Sequence, residues 1–316
     1  MDQTGAPEIV GAQPFFSIIV PTYNRPTQLA ACLRSLAEID YPRDCFEVIV
    51  VDDGSAIYPE WVVSKFRDQA DFTLIRQAHE GPGAARNTGA ARSRGKYLAF
   101  TADDCVPAPD WLSTLARRFR SLPNCAVGGR TLNYLWDNRY STATDLLIQY
   151  LYHYYNRDAL RAQFFTPNNL AVPVEQYRGS GGFDASFTSG TGEDRDFCDR
   201  WVSQGYEMVY APEAVVYHSH SLSLSEFCLL HFRYGRGTFG YRMKRARRAS
   251  DNIHLEPISF YVNLFRYPIS KAPDSQKLTM ALLLGLSQAA NAAGYIWEKF
   301  RWELSKKETG RLEMLP

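Results

Sequence analysis

No two of this chain's six cysteines stand close enough to frame a metal site or a disulfide ladder. Cys32, Cys45, Cys105, Cys125, Cys198 and Cys228 are scattered singly, without a Cys-x-x-Cys pair. That argues against a structural zinc and a disulfide scaffold, and for a reducing compartment. An excess of charge of one sign is also missing: 35 Lys and Arg face 34 Asp and Glu. No global field therefore calls for a nucleic-acid partner, and any electrostatic specialisation is local. There is no Gly-x-x-x-x-Gly-Lys-Ser/Thr phosphate loop, no internal repeat and no low-complexity segment. Met1 to Pro14 lack the basic and apolar segments of a signal peptide and read as a loose tail. Leu278 to Trp297 is long and apolar, but Thr279, Ser287, Gln288 and Asn291 interrupt it. A spanning helix needs about 20 mainly apolar residues, so this stretch reads as a core or interfacial helix.

The chain does have enough apolar material to bury a core. Its 316 residues are 45% hydrophobic and 22% charged, which suits one large α/β domain with a C-terminal extension, or two small domains. Ser17 to Val20 is an apolar run ended by Pro21, and Pro26 fits the first turn of a helix. Leu29, Cys32, Leu33 and Leu36 give that helix one apolar face. Phe46 to Val51 reads as a second strand, closed by Asp52-Asp53-Gly54-Ser55. A helix with Trp61, Val62 and Phe66 follows, then a strand at Phe72 to Ile75. An Ala-rich helix after Gly81-Pro82-Gly83 precedes another strand, Tyr97 to Phe100. This alternation implies a mostly parallel sheet sandwiched by helices. Such sheets bind ligands at the carboxyl ends of their strands.

Acidic residues gather at those ends. Asp103 and Asp104 lie just beyond the strand Tyr97 to Phe100. Adjacent carboxylates are costly unless a cation neutralises them, and Mg²⁺ or Mn²⁺ takes oxygen ligands, often carboxylates plus substrate phosphates. The plainer reading is a cap on a helix starting near Pro109, or two solvated acids. Asp52-Asp53 reads as a turn after a strand, or as an acceptor for a base or ribose. Glu193-Asp194 complements a helix N-terminus, or supplies the general base for an attacking hydroxyl. His218 and His220 follow a strand over Ala214 to Tyr217 and share one face of it, as structural residues or as metal ligands. Gly235-Arg-Gly-Thr-Phe-Gly240 fits the dinucleotide fingerprint letter for letter. It follows a helical stretch where the fingerprint needs a strand, so NAD is not implied.

Together these segments resemble glycosyltransferase family 2, with the GT-A fold. The resemblance runs through Ser17-Ile-Ile-Val-Pro-Thr-Tyr-Asn-Arg25, Phe46-Glu-Val-Ile-Val-Val-Asp-Asp-Gly-Ser55 and Gly81-Pro-Gly-Ala-Ala-Arg-Asn-Thr-Gly89. It continues with Tyr97-Leu-Ala-Phe-Thr-Ala-Asp-Asp104 and Pro107, Gly181-Gly-Phe-Asp184 and Gly192-Glu-Asp-Arg-Asp-Phe197, covering residues 16 to about 220. It implies that Pro21 and Tyr23 line a nucleoside pocket, with Asp53 on the base and Asp52 beside it. Arg86 and Asn87 would lie in the helix flanking the donor. Asp103 and Asp104 match the region that holds the divalent ion, Mg²⁺ or Mn²⁺, and the donor's ribose and diphosphate. His218 resembles a histidine that completes the metal site in some members. Asp194 matches the inverting base, with Glu193 supporting it, and Gly182 and Asp184 belong to the loop facing donor sugar and acceptor. Many members read Asp-x-Asp-Asp where this chain has Thr101-Ala-Asp103-Asp104, one carboxylate fewer; some members manage with the last two.

The fold so implied is a three-layer α/β/α sandwich over residues 15–220, with a helical extension over 221–316 and a flexible tail over 1–14. The activity implied is inverting transfer of a sugar from a nucleotide-diphosphate sugar, UDP-linked by the family's habits. Its acceptor would be a hydroxyl of a carbohydrate or lipid-linked molecule, in polysaccharide, glycolipid or glycoconjugate synthesis. Two other classes compete. A sugar-1-phosphate nucleotidyltransferase would carry a Gly-rich basic loop after the first strand, where Pro21-Thr-Tyr-Asn24 stands. A non-catalytic nucleotide-sugar binder would not need Asp194. Between Glu226 and Asp251 lie seven Arg or Lys residues and no acid. They read as a solvated helix face, as Arg233 or Arg236 reaching the donor diphosphate, or as Arg242 to Arg248 resting on anionic lipid heads, about 1 kcal/mol each. The expected location is the cytoplasm, or the inner face of the membrane where lipid-linked acceptors would be met.

Overall fold

The computed structural model of the protein describes residues 13–187, 191–250 and 256–312. Apart from residues 13 and 14, the tail read from residues 1–14 lies outside them. The chain opens with β1 (Phe16–Thr22), α1 (Pro26–Ala37), β2 (Phe46–Asp52), α2 (Glu60–Val63), β3 (Phe72–Arg76), α3 (Pro82–Ala91) and β4 (Tyr97–Phe100). Next come β5 (Cys105–Pro107), α4 (Trp111–Ser121), β6 (Ala126–Asn133), α5 (Arg139–Tyr155), β7 (Leu170–Pro173) and α6 (Val174–Gly179). The last elements are α7 (Glu193–Ser203), β8 (Met208–His218), α8 (Leu224–Ala249), α9 (Ile258–Lys271) and α10 (Lys277–Leu312).

All eight strands form one sheet in the order β3-β2-β1-β4-β7-β6-β8-β5. The pairs β1–β2, β2–β3, β1–β4 and β6–β8 are parallel; β7 runs against β4 and β6, and β5 against β8. The sheet is mixed but mostly parallel, as the alternating pattern implies. Every residue of β1 and β2 is buried, as expected of strands covered on both faces. Ile18 and Val20 point into a core shared with Leu33 of α1 and Leu115 of α4. Ile19 points the other way, toward Ala85 of α3 and Phe197 and Trp201 of α7. These are the three layers. Strand order reverses at β1, which has β2 on one side and β4 on the other. That reversal opens a crevice at the carboxyl ends of the strands.

Beside the sandwich, α5 packs with α8, α9 and α10. Leu146 and Ala143 meet Phe227 and Met280, while Leu147 and Tyr150 meet Phe260, Leu264 and Leu284. The helical extension follows β8, and α8 starts on a reciprocal Ser223–Glu226 capping box. The Gly-x-Gly decoy lies inside α8. A Cβ on Gly235 would stand 1.9 Å from the Asn291 carbonyl oxygen, so this glycine lets α10 approach its backbone.

Several boundaries differ from the sequence reading. The first strand does not stop at Pro21 but continues to Thr22. The Ile19 carbonyl accepts from Thr101 N–H on the β4 side, and Pro21 faces the same side two residues on. The β1–β4 pairing ends at Ile19↔Phe100, so the missing proline N–H breaks no rung. The helix with Trp61 and Val62 is one α turn followed by a 3₁₀ turn at Ser64–Phe66. The strand read from Ala214 begins at Met208, and His218 is its last residue. Pairing jumps from Gly129↔Ala211 to Arg130↔Val215, a bulge that hides the strand's start in the sequence. The basic run of α8 is not a freely solvated face. Lys244 pairs with Asp184, Arg245 with Asp199 at 3.2 Å, and Arg248 with both Asp196 and Asp199. Leu278 to Trp297 lies within α10, and among the described residues no helix is long and apolar enough to cross a membrane.

Candidate active site

The acid pair after β4 is buried, with 4% of Asp103 and 7% of Asp104 exposed. Neither is a solvated acid, and the N-cap of α4 is Asp110; the plainer reading fails. Asp103 Oδ2 accepts from Thr22 Oγ1 at 2.8 Å. The Arg25 guanidinium reaches Asp104 Oδ2 at 2.9 Å and Asp103 Oδ1 at 3.4 Å. His218 Nε2 and His220 Nδ1 lie 3.3 and 3.4 Å from the two oxygens of Asp104. Burial and the neighbouring Asp104 push Asp103 up to about 6. Burial would also raise Asp104, but His218, His220 and Arg25 hold it well below the usual carboxylate range. Asp104, Cys105 and His218 present ligand atoms within 4.8 Å of one another. Burial pushes the Cys105 thiol well up, which leaves it protonated and a poor ligand. The remaining carboxylate and imidazole donors fit Mn²⁺ or Mg²⁺. In the chain itself, Arg25 supplies the positive charge that the acid pair needs.

The residues expected to meet a nucleoside sit next to this cluster, at the ends of β1 and β2. Asp53 N–H donates to the Thr22 carbonyl at 2.9 Å, which links Asp53 through Thr22 to Asp103. The Asp53 carboxylate takes N–H bonds from Gln77, Glu80 and Gly81, with His79 Nδ1 2.9 Å away. It shapes the entry into α3. Asp52 is fully buried and accepts from Ser55 N–H, so the turn reading holds for Asp52, whereas the Asp53 side chain ties the turn to the 77–81 segment. Tyr23 is 41% exposed and stacks on His79 with ring centroids 4.1 Å apart. Pro21 precedes it in β1.

The Glu193-Asp194 pair opens α7 after Gly192. Glu193 is 5% exposed and 3.3 Å from Arg86 Nη1. Burial and the charge of Asp194 raise it to about 7. Asp194 Oδ1 accepts from Arg195 N–H at 2.8 Å, and burial raises its pKa too. Asn87 holds the facing loop: its Oδ1 accepts from Phe183 N–H and Tyr177 OH, and it packs on Gly182, which has φ +66°. Asp184, on the same loop, is held down to about 2 against the effect of burial, chiefly by Lys244 and Ser186.

Two cavities meet at this pair. One, of about 230 Å³, is lined by Arg86, Glu193, Asp194, His218 and His220. The other, of about 680 Å³, opens between α5, α7, α8, α9 and α10 and also includes Asp194. Through His218 and Asp104, the smaller cavity adjoins the acid cluster, so Asp53, Asp103 and Asp194 occupy one end of the sheet. Arg233 and Arg236 line neither cavity; Arg233 is exposed, and Arg236 bonds Glu298 of α10 at 2.6 Å. Sequence reading missed Thr22, Arg25, His79 and Asp145, while His220, weighed there beside His218 as a metal ligand, does lie against Asp104. Asp145 lines the smaller cavity, and burial raises it to about 6. A signal existed for Arg25: two adjacent acids need a cation, and this one stands just past the neighbouring strand.

Fold and site together define a crevice enzyme of the GT-A architecture. Residues 17–177 match the sequence profile of Glycosyl transferase family 2, and residues 101–303 that of Glycosyl transferase family group 2. The chain belongs to glycosyl transferase family 2 and is a glycosyltransferase. It is 28% identical over 232 residues to glycosyltransferase AglE of Haloferax volcanii, covering 71% of this chain and 73% of that one. It is 29% identical to a chondroitin synthase of Escherichia coli over 64% of this chain, but spans only 34% of that protein's length. Among solved structures, a mannosyltransferase from Pyrobaculum calidifontis in complex with GDP-Man and Mn²⁺ superposes with a TM-score of 0.64. It is 20% identical and aligned over 91% of this chain and 88% of its own. Residues 1–349 of S. aureus TarS in complex with UDP-GlcNAc give 0.54 at 15% identity, over 92% of each chain.

Proposed function

We propose that the protein transfers a sugar from a nucleotide-diphosphate sugar, a UDP-sugar in the first instance, to an acceptor hydroxyl with inversion at the anomeric carbon. One observation carries this reading: Asp194 stands in the wall shared by the two cavities, with the acid cluster beyond one of them. In this reading the smaller cavity receives the donor sugar, and Tyr23, Pro21 and Asp53 receive the nucleoside. The larger cavity receives the acceptor, a carbohydrate or lipid-linked molecule.

Asp194, held by Arg195 N–H, takes the proton from the acceptor hydroxyl. The new bond forms from that oxygen to the anomeric carbon while the bond to the diphosphate breaks on the opposite face. Its raised pKa brings the carboxylate closer to the pKa of a useful base than a solvated aspartate. Glu193, tied to Arg86, supports the orientation of the turn. A divalent ion held by Asp103, Asp104 and His218 would offset the charge gathering on the departing diphosphate. Displaced from the acid pair by that ion, Arg25 would be free to pair with the same phosphates. Support for the nucleotide sugar comes from the family match and from solved relatives whose complexes contain GDP-Man or UDP-GlcNAc.

The direct test is a thermal-shift screen of UDP-, GDP- and dTDP-sugars with and without Mn²⁺. One nucleotide class is expected to raise the melting temperature in a metal-dependent way, and to be turned over to the free diphosphate. No shift from any nucleotide sugar would overturn the proposal.

A further inference from the structure

The larger cavity carries a chemical signature that the transfer reaction does not require. Tyr154, Tyr155, Phe164, Tyr241 and Phe260 supply aromatic wall. Arg157, Arg195, Arg242 and Arg245 also line it, against only two acids, Asp194 and Glu256. Glu256 already accepts from the hydroxyls of Tyr154 and Tyr155. Of the four arginines, only Arg245 has a carboxylate partner among the described residues, Asp199 at 3.2 Å.

Arg195 is the telling one, because it follows the proposed base in sequence. Its guanidinium carbon lies 4.3 Å from the Tyr155 ring centroid and 4.2 Å from that of Phe164. Two rings hold the plane in place, and cation–π attraction offsets part of its desolvation. None of its N–H groups donates to a carboxylate or a carbonyl among the described residues. A guanidinium has five donors in a planar fork. Held between two rings, it gives one donor to the Tyr155 hydroxyl, which itself donates to Glu256, and leaves its other donors to whatever enters the cavity. A planar fork matches a carboxylate or a phosphate in bidentate fashion, and aromatic walls accept the apolar faces of sugar rings.

We infer that the acceptor is an acidic glycan, whose carboxylate or phosphate is read by Arg195 with Arg242 and Arg157 around the mouth. The inference rests on the reading of the larger cavity as the acceptor site. Arg195 then acts as a specificity determinant: it sets the anionic group at a fixed distance from Asp194 and so selects which hydroxyl meets the base.

Binding of three probes to the full chain tests this without any donor: methyl β-D-glucuronide, glucose 6-phosphate and the neutral methyl β-D-glucoside, followed by ligand-observed NMR. The two acidic probes are expected to bind about tenfold more tightly than the neutral one, and less so at high salt. Arg195→Gln should bring the three within about twofold, and Arg195→Lys should retain part of the preference. Arg242→Gln should reduce it by less and guards against misfolding of the first variant. Equal binding of all three probes by the natural sequence would overturn the inference. So would a preference that survives both Arg→Gln changes, or binding of phosphatidylglycerol vesicles without binding of either soluble acid. Since no nucleotide is present, failure here leaves the donor reading intact, and failure of nucleotide binding leaves this result standing.

Discussion

Gly192, the residue in front of the Glu193-Asp194 pair, lies with its backbone against Gly237 of α8. A Cβ on Gly192 would stand 2.7 Å from the Gly237 carbonyl oxygen, and one on Gly237 would stand 2.4 Å from the Thr191 carbonyl oxygen. Thr191 Oγ1 also donates to the Arg233 carbonyl. The turn that carries the proposed base thus rests on the C-terminal helical layer, and position 237 has no room for a side chain.

Gly237→Ala is therefore expected to push the Thr191–Gly192 backbone and to destabilise the fold by about 1–3 kcal/mol. Activity should fall further than stability, because Asp194 moves with the turn. Thermal unfolding together with turnover well below the melting point separates the two effects. Unchanged melting and turnover would show that the helix yields without disturbing the turn.

Asp194→Asn should lower transfer by roughly 10²–10⁴-fold while nucleotide affinity is kept. The base works only when ionised, so kcat/KM should fall as pH drops through its folded pKa. Burial raises that pKa, which places the acid limb above the usual aspartate range. Glu193, at about 7, titrates beside it, so the limb belongs to the pair. A pH–rate profile with its limb at an ordinary solvated aspartate value would remove Asp194 from this role.

If Arg25 stands in for the ion, Arg25→Ala should bind Mn²⁺ alone about tenfold more tightly, because its contacts to Asp104 and Asp103 no longer have to break. Asp104→Ala should abolish the response of UDP affinity to Mn²⁺, and EDTA should return the natural sequence to that metal-free value. Calorimetric titration of Mn²⁺, then of UDP with and without it, reads both effects. Weaker Mn²⁺ binding in Arg25→Ala would mean that the guanidinium assists the site and does not compete for it.

Much of the candidate crevice was legible because its parts are local. Apolar runs at strand spacing, each followed by a helix signal, announce a parallel sheet, and the acids fall where such a sheet places ligands. Asp103, Asp104, Glu193 and Asp194 could be picked out from that pattern and from the family resemblance. The start of β8 could not, because the bulge after Ala211 breaks the alternation that marks a strand.

The order of strands and helices, and the position of acids at strand ends, follow from the amino-acid sequence by itself, since periodicity and turn chemistry act over a few residues. Which charges meet was decided by the tertiary structure alone. Arg25 finds Asp104 across 79 positions, and Arg248 finds Asp196 across 52. Burial then fixes which pairs remain charged, and no local pattern encodes either distance or desolvation. The larger cavity is of the same kind: five helices from separate parts of the chain must pack before its arginines and rings face one another.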